Sequence, residues 1–190
     1  MDARTPPTDS VTVLSSGGLD STACIAFFAR QGIPLVSLFV DYGQSAVDAE
    51  RRAALAIADH YRLRLHQTRW SGGVHKRSGF IRGRNAFLLL AALMEMGGKS
   101  GTIAIGLHAG TPYYDCSSPF VAAIQVVFDG YADGAVRVSA PFLTWTKKQI
   151  WDFCRQEQVP IGLTYSCDDG PVPCGRCLSC QDLEALRAHS

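Results

Sequence analysis

Two short stretches hold most of the side chains in this 190-residue chain that could do chemistry. The first is Ser16-Gly17-Gly18-Leu19-Asp20-Ser21-Thr22, set between an apolar run and a periodic apolar segment. Glycines let a backbone approach an anion closely, and a helix starting there offers free N–H groups and the positive end of its dipole. Ser16, Ser21 and Thr22 add hydroxyl donors, so the stretch predicts a phosphate-binding loop. Asp20 is expected either to bind Mg²⁺ or to cap the helix. The loop is not a Walker A motif, which needs GxxxxGK[ST]; Gly98-Lys99-Ser100 fails the same pattern because position 93 is Leu93.

The second stretch is Cys167, Cys174, Cys177 and Cys180, four of the seven cysteines within 14 residues. Four thiolates at this spacing predict a closed tetrahedral Zn²⁺ site with Zn–S bonds of ~2.3 Å and a structural role. An iron–sulfur cluster or a Cys177/Cys180 redox pair are the alternatives. Gly175 suits the tight turn between ligands. An odd cysteine count and a polar N-terminus, MDARTPPTDS, argue against a secreted disulfide framework.

Weaker signals lie elsewhere. Asp41-Tyr42-Gly43-Gln44 follows a predicted strand ending at Val40, where an adenine and ribose pocket is expected. Gly83-Arg84-Asn85 sits at a helix start, where an Arg fork clamps a carboxylate or phosphate. Tyr113-Tyr114-Asp115-Cys116 follows a fourth strand. Lys147 opens a late helix and could neutralise phosphate. His60, His66, His75 and His108 have no ligand spacing and read as surface or core residues; Trp70, Trp145 and Trp151 read as packing.

The elements that must position these residues alternate. Strands are expected at Val11–Leu14, Leu35–Val40, Leu63–Gln67, Thr102–Ile105 and Val136–Val138, and helices over Thr22–Ala29, Gln44–Tyr61, Asn85–Met96, Phe120–Phe128 and Thr146–Gln156. Leu35–Val40 is a continuous apolar run, as expected where both faces of a parallel sheet are covered. A loop rich in Gly, Ser and basic residues is expected at Ser71–Gly83. The pattern predicts an α/β fold, a doubly wound five-stranded parallel sheet with ligands at the carboxyl ends of its strands. From about Leu163 the periodicity stops, and a tail poor in apolar residues needs its metal to fold. Residues 1–162 read as a nucleotide-binding domain and 163–190 as the metal segment.

Composition sets the outer bounds. With 47% hydrophobic and 18% charged residues the chain is neither disordered nor collagen-like. Its longest apolar run, Ala86–Met94, is far short of the ~20 residues of a membrane span, so a cytoplasmic protein is expected. Net charge is +1, yet Arg51 to Arg84 holds nine basic residues and one acid, Asp59. That asymmetry suggests either a polyanionic ligand or a solvated helix face with a basic loop.

SGGLDST resembles the PP-loop of the ATP pyrophosphatase superfamily (adenine nucleotide alpha hydrolase-like), whose members split ATP between the α and β phosphates. With DYGQ, GRN, the YxDC segment, Pro141–Lys147–Trp151 and the tail LTYSC…PCGRCLSC, the chain resembles the 7-cyano-7-deazaguanine synthase (QueC) family from Val11 to Cys180. The resemblance implies an enzyme that adenylates 7-carboxy-7-deazaguanine, adds ammonia to give the amide, and dehydrates it to the nitrile. It implies ATP binding by Ser16 to Thr22 (Gly17, Gly18 and Leu19 among them) with Val40, Tyr42, Gly43 and Gln44. It implies catalysis by Asp20, Ser21, Lys147 and Arg84, and substrate binding by Arg84, Asn85, Tyr114 and Asp115. Cys167, Cys174, Cys177 and Cys180 fall on the family's zinc ligands; ATP, Mg²⁺ and Zn²⁺ are the implied cofactors. The resemblance favours a homodimer; a small-molecule substrate is the expected partner, and a nucleic acid is not expected.

The chain departs from the family where Ser45-Ala46 replace the usual Arg-His and where Ser117, Ser118 and Pro119 follow YYDC. A divergent paralogue that adenylates a carboxylate for attachment to a protein partner, as in antiviral clusters, is one alternative. Others are a non-catalytic nucleotide-binding module and a tRNA-modifying PP-loop enzyme, for which Cys116 is the candidate thiolation cysteine.

Overall fold

The computed structural model describes residues 10–71 and 80–188. Most of the loop expected at 71–83, with His75, lies outside the described residues, as does most of the polar N-terminus.

Five strands form one wholly parallel sheet in the order β3-β2-β1-β4-β5: β1 Val11–Leu14, β2 Leu35–Asp41, β3 Leu65–Arg69, β4 Gly101–Ala104 and β5 Val136–Ser139. The chain reverses its winding beside β1, which pairs with β2 through Val11↔Leu35 and with β4 through Val11↔Thr102. Such a switch point opens a crevice at the carboxyl ends of the strands. Helices cover both faces. On one side α1 (Leu19–Ala29) and α5 (Lys147–Gln156) pack with Ile57 of α2 (Val47–His60) around Phe142 and Phe153. On the other, Leu89 of α3 (Arg84–Glu95) and Phe120, Ile124 and Phe128 of α4 (Ser118–Ala132) pack on Leu38 and Ile103.

Several boundaries differ from the sequence expectation for identifiable reasons. Helix α1 begins at Leu19, inside the glycine loop, not at Thr22, because Gly18 is extended and serves as N-cap. Strand β3 is Leu65–Arg69 rather than Leu63–Gln67, since Arg62 turns with positive φ and Leu63 N–H bonds back to Ala58 O. Beyond Leu163 the chain is not merely a knuckle: α6 (Leu178–Ala188) starts within the cysteine cluster and lays Leu183 and Leu186 against the α1/α5 core.

Ser117 and Pro119 do local work. Ser117 caps α4 by accepting from Phe120 N–H at 3.3 Å, with the proline in the first turn.

Candidate active site and metal centre

The glycine loop is shaped by close approach. Gly17 has φ +75°, and a Cβ there would sit 2.7 Å from Ala53 Cβ, Ala54 N and Glu50 O of α2. Gly106, just past β4, lets that strand end lie on the first turn of α1; its Cβ would meet Asp20 C at 2.9 Å. The two glycines thus bring β4, α1 and α2 together around one cavity of about 920 Å³ at the switch point.

From the loop, Ser16, Gly18, Leu19, Asp20 and Ser21 line the cavity. Ser15, which sequence reasoning passed over, lines it too, and its buried hydroxyl has no partner among the described residues. Gly17 and Thr22 do not face it. Thr22 is fully buried and donates its hydroxyl to Gly18 O at 2.8 Å, so it locks the turn instead of offering a donor to phosphate. Ser21 donates to the same carbonyl at 3.0 Å and lies 3.3 Å from Ser16 Oγ.

Asp20 neither caps α1 nor presents a free carboxylate. Its Oδ2 is 2.5 Å from Lys147 Nζ, and its Oδ1 is enclosed without a hydrogen-bond partner among the described residues. Lys147 is the first residue of α5, held there by a capping box in which Thr146 Oγ1 accepts from Gln149 N–H and Gln149 Oε1 accepts from Thr146 N–H. An enclosed oxygen and a lysine-paired oxygen do not make a Mg²⁺ cage. The ion would have to be carried by phosphate oxygens and water.

At the end of β2 and just past it, Val40, Tyr42 and Gln44 line the cavity, whereas Gly43 (φ +84°) turns away and donates its N–H to Asp41 Oδ1. Gln44 is buried and donates to Glu50 Oε2 at 2.8 Å. Burial pushes the Glu50 carboxyl up, and it pushes up the Tyr42 phenol against the opposing pull of Arg84. Arg84 and Asn85 enter from the start of α3, whose first turn contains no acid. A cation at the positive end of a helix opposes the dipole, an arrangement that an anionic ligand relieves. Asp115 holds the same helix start: its Oδ2 accepts from Asn85 N–H at 3.4 Å, and Asn85 Nδ2 donates to its carbonyl at 3.1 Å. Tyr114, expected to bind substrate, is 64% exposed and packs on Phe120 outside the cavity. Its neighbour Tyr113 lines the wall instead, stacked on Phe80 with ring centroids 4.4 Å apart.

The cysteine segment closes the cavity. The Sγ atoms of Cys167, Cys174, Cys177 and Cys180 lie within 4.8 Å of one another, a donor set suited to one metal ion. Burial raises the Cys167 thiol, but N–H groups of Asp169 and Cys174 aimed at its sulfur outweigh that and bring it down to about 7. Cys177 N–H points likewise at Cys174 Sγ, and Gly175 turns with φ +71°. The residues just before the cluster grip the glycine loop: Tyr165 N–H donates to Gly17 O at 2.9 Å, and Ser166 Oγ accepts from Leu19 N–H at 3.4 Å. Gly18 offers α1 no side-chain cap, so Ser166 supplies one from 147 residues away. Asp168, whose carboxyl is pushed up by burial, also lines the cavity.

Two other expectations change. His108 is not a bland surface or core residue; it lines the cavity with Nε2 3.9 Å from Asp20 Oδ2. Its sequence signal was its position in the loop just past β4, at the switch point. Cys116, the candidate thiolation cysteine, is half-buried, and burial pushes its thiol up, away from the reactive thiolate. Among the described residues, no helix is long and apolar enough to cross a membrane.

Solved structures with this architecture include a predicted subunit of tRNA methyltransferase from Methanocaldococcus jannaschii, at TM-score 0.53 and 11% identity, covering 77% of this chain and 74% of that one. The U34-tRNA thiolase NcsA from Methanococcus maripaludis gives 0.50 and 13%, covering 95% and 65%. At such identity they speak to the fold alone. Sequence relatives are closer. A 7-cyano-7-deazaguanine synthase of Prochlorococcus marinus (strain NATL1A) is 30% identical, covering 88% of each chain. Another, of Anaeromyxobacter sp. (strain Fw109-5), is 31% identical, covering 92% of this chain and 89% of its own. The family model described as queuosine biosynthesis protein QueC matches residues 10–72 and 73–188, from the first strand through the cysteine cluster, and the chain therefore belongs to the QueC family.

Proposed function

We propose that the chain is an ATP-dependent ligase that forms a C–N bond on a deazaguanine carboxylate. 7-Carboxy-7-deazaguanine attacks the α-phosphate of ATP, pyrophosphate leaves, and ammonia displaces AMP from the acyl-adenylate to give the amide. A second activation, on the amide oxygen, then yields 7-cyano-7-deazaguanine. One observation carries this reading: an anion-binding helix start, the Lys147 ammonium and the Arg84 guanidinium meet in a single cavity large enough for a nucleotide and a second small molecule. Its relatives among the 7-cyano-7-deazaguanine synthases supply the substrate class.

In this scheme the N–H groups at the start of α1 and Lys147 stabilise the departing pyrophosphate, where charge develops in the transition state. Asp20 holds the lysine in place. Val40, Tyr42 and Gln44 bound the adenosine, and the Arg84 fork takes the carboxylate of the base. The stacked Phe80 and Tyr113 offer a flat apolar wall for a heteroaromatic ring. Mg²⁺ enters as part of the MgATP substrate. Zn²⁺ is the ion that four thiolates at this spacing suit; held by Cys167, Cys174, Cys177 and Cys180, it supplies a closed crosslink that seats Tyr165 and Ser166 on the loop.

The test is incubation of the metal-loaded protein with MgATP, ammonium and 7-carboxy-7-deazaguanine, following the base by mass spectrometry and AMP in parallel. Amide or nitrile, formed with AMP and lost in Asp20→Ala, supports the proposal. AMP without consumption of the base would move the acceptor to another carboxylate, and neither product would leave a nucleotide-binding module.

A further inference from the structure

The addition of ammonia to an acyl-adenylate needs a proton acceptor, and Lys147 and Arg84, as cations, cannot serve. His108 lines the same cavity as both of them. Its Nδ1 lies 2.7 Å from Ala109 O. A carbonyl oxygen only accepts, so Nδ1 carries the hydrogen and the lone pair of the neutral ring is on Nε2. That nitrogen lies 3.9 Å from Asp20 Oδ2, beyond hydrogen-bond reach, and the oxygen is already engaged by Lys147 at 2.5 Å. The side chain is 14% exposed and lines the cavity.

The segment carrying His108 is anchored on each side. Gly106 seats it against the first turn of α1, Thr111 Oγ1 donates to His108 O at 3.2 Å, and Ala109 N–H donates to Trp145 O at 2.8 Å. The last contact ties it to the residues that lead into Lys147. A histidine whose tautomer and backbone are both fixed, with one ring nitrogen left facing the anion-binding loop, is arranged for proton transfer.

We propose that His108 Nε2 is the general base of the amide-forming step, an inference that rests on the adenylation chemistry above. Ammonia's lone pair forms the C–N bond while the carbonyl π pair moves to oxygen, giving a tetrahedral intermediate with a positively charged nitrogen. Nε2 takes one proton from that nitrogen. The oxygen lone pair then re-forms the carbonyl and the C–O bond to AMP breaks, its electron pair leaving on the phosphate. The products are the amide, AMP and a protonated His108, which returns its proton to solvent. Asp20, from α1, and Lys147, from α5, are the charged groups nearest the ring, with Asp20 Oδ2 3.9 Å from Nε2 and already engaged by Lys147.

The test separates the two half-reactions in His108→Asn and His108→Ala. The asparagine amide can still donate to Ala109 O, keeping the loop contact while removing the base. Carboxylate-dependent exchange of labelled pyrophosphate into ATP, without ammonia, reads adenylation; amide formation with ammonium reads the later step. We expect exchange to persist in His108→Asn while amide formation falls by about 10²–10⁴-fold, with added imidazole restoring part of it in His108→Ala. Loss of exchange and amide formation together in His108→Asn, or amide formation at the unsubstituted rate, would overturn the proposal. Absence of exchange in the unsubstituted protein would overturn the adenylation reading and the base with it.

Discussion

Stripping the metal from the cysteine cluster should weaken nucleotide binding at a loop that contains no metal ligand. The connection runs through two hydrogen bonds, Tyr165 N–H to Gly17 O at 2.9 Å and Leu19 N–H to Ser166 Oγ at 3.4 Å. Each contributes about 0.5–1.5 kcal/mol net, with the longer one at the low end. If the segment leaves the loop when the metal leaves, the coupling between metal and nucleotide is therefore about 1–2 kcal/mol, or roughly 5–30-fold in affinity. Calorimetric titration with MgATP before and after chelation measures it directly. Ser166→Ala sharpens the test, because Ser166 acts as the cap α1 otherwise lacks. Its loss should cost about 0.5–1 kcal/mol in the metal-loaded protein and nothing in the stripped one. Equal MgATP affinity with and without metal, or a Ser166→Ala cost independent of metal, would refute the coupling.

Lys147→Met removes the ion partner of Asp20 and the cation facing the anion site; AMP formation should fall by roughly 10²–10³-fold, as measured by AMP release. Gly17→Ala places a Cβ 2.7 Å from two backbone atoms of α2 at a φ of +75°. It should cost about 1–2 kcal/mol for the left-handed conformation and about 1–3 kcal/mol for overpacking, read as a lower urea midpoint. Tyr114→Ala, outside the cavity, should leave KM for the base and the unfolding midpoint nearly unchanged; a large rise in KM would return Tyr114 to the site.

The parts of the site legible in the sequence were those in which one short segment is sufficient. Two glycines between a strand and a helix mark the turn that opens on the cavity, and four cysteines in 14 residues mark the cluster whose sulfurs converge, whatever surrounds them. The β-α alternation carried the sheet because strands buried on both faces read as continuous apolar runs. What stayed hidden depends on distant segments meeting. Ser166 caps a helix 147 residues away, and Glu50 reaches the cavity only because α2 packs on Gly17. His108 has no ligand spacing, and only the winding that sets β4 beside β1 places it next to Asp20. Asp20 shows the same limit from the other side. Its position beside phosphates suggested a metal ligand, but the lysine that engages it comes from α5, 127 residues further on. Helix α6 was missed because its first turn shares residues with the cysteine cluster, which masks the periodicity of Leu183 and Leu186.

The most direct test of the central claim uses 7-carboxy-7-deazaguanine labelled with ¹⁸O in its carboxylate, turned over with MgATP and ammonium. If the carboxylate attacks the α-phosphate, one labelled oxygen must leave with AMP, and mass spectrometry should find AMP heavier by one ¹⁸O with pyrophosphate unlabelled. Unlabelled AMP, or label appearing only in water, would contradict an adenylated carboxylate and with it the proposed roles of Lys147, Arg84 and His108.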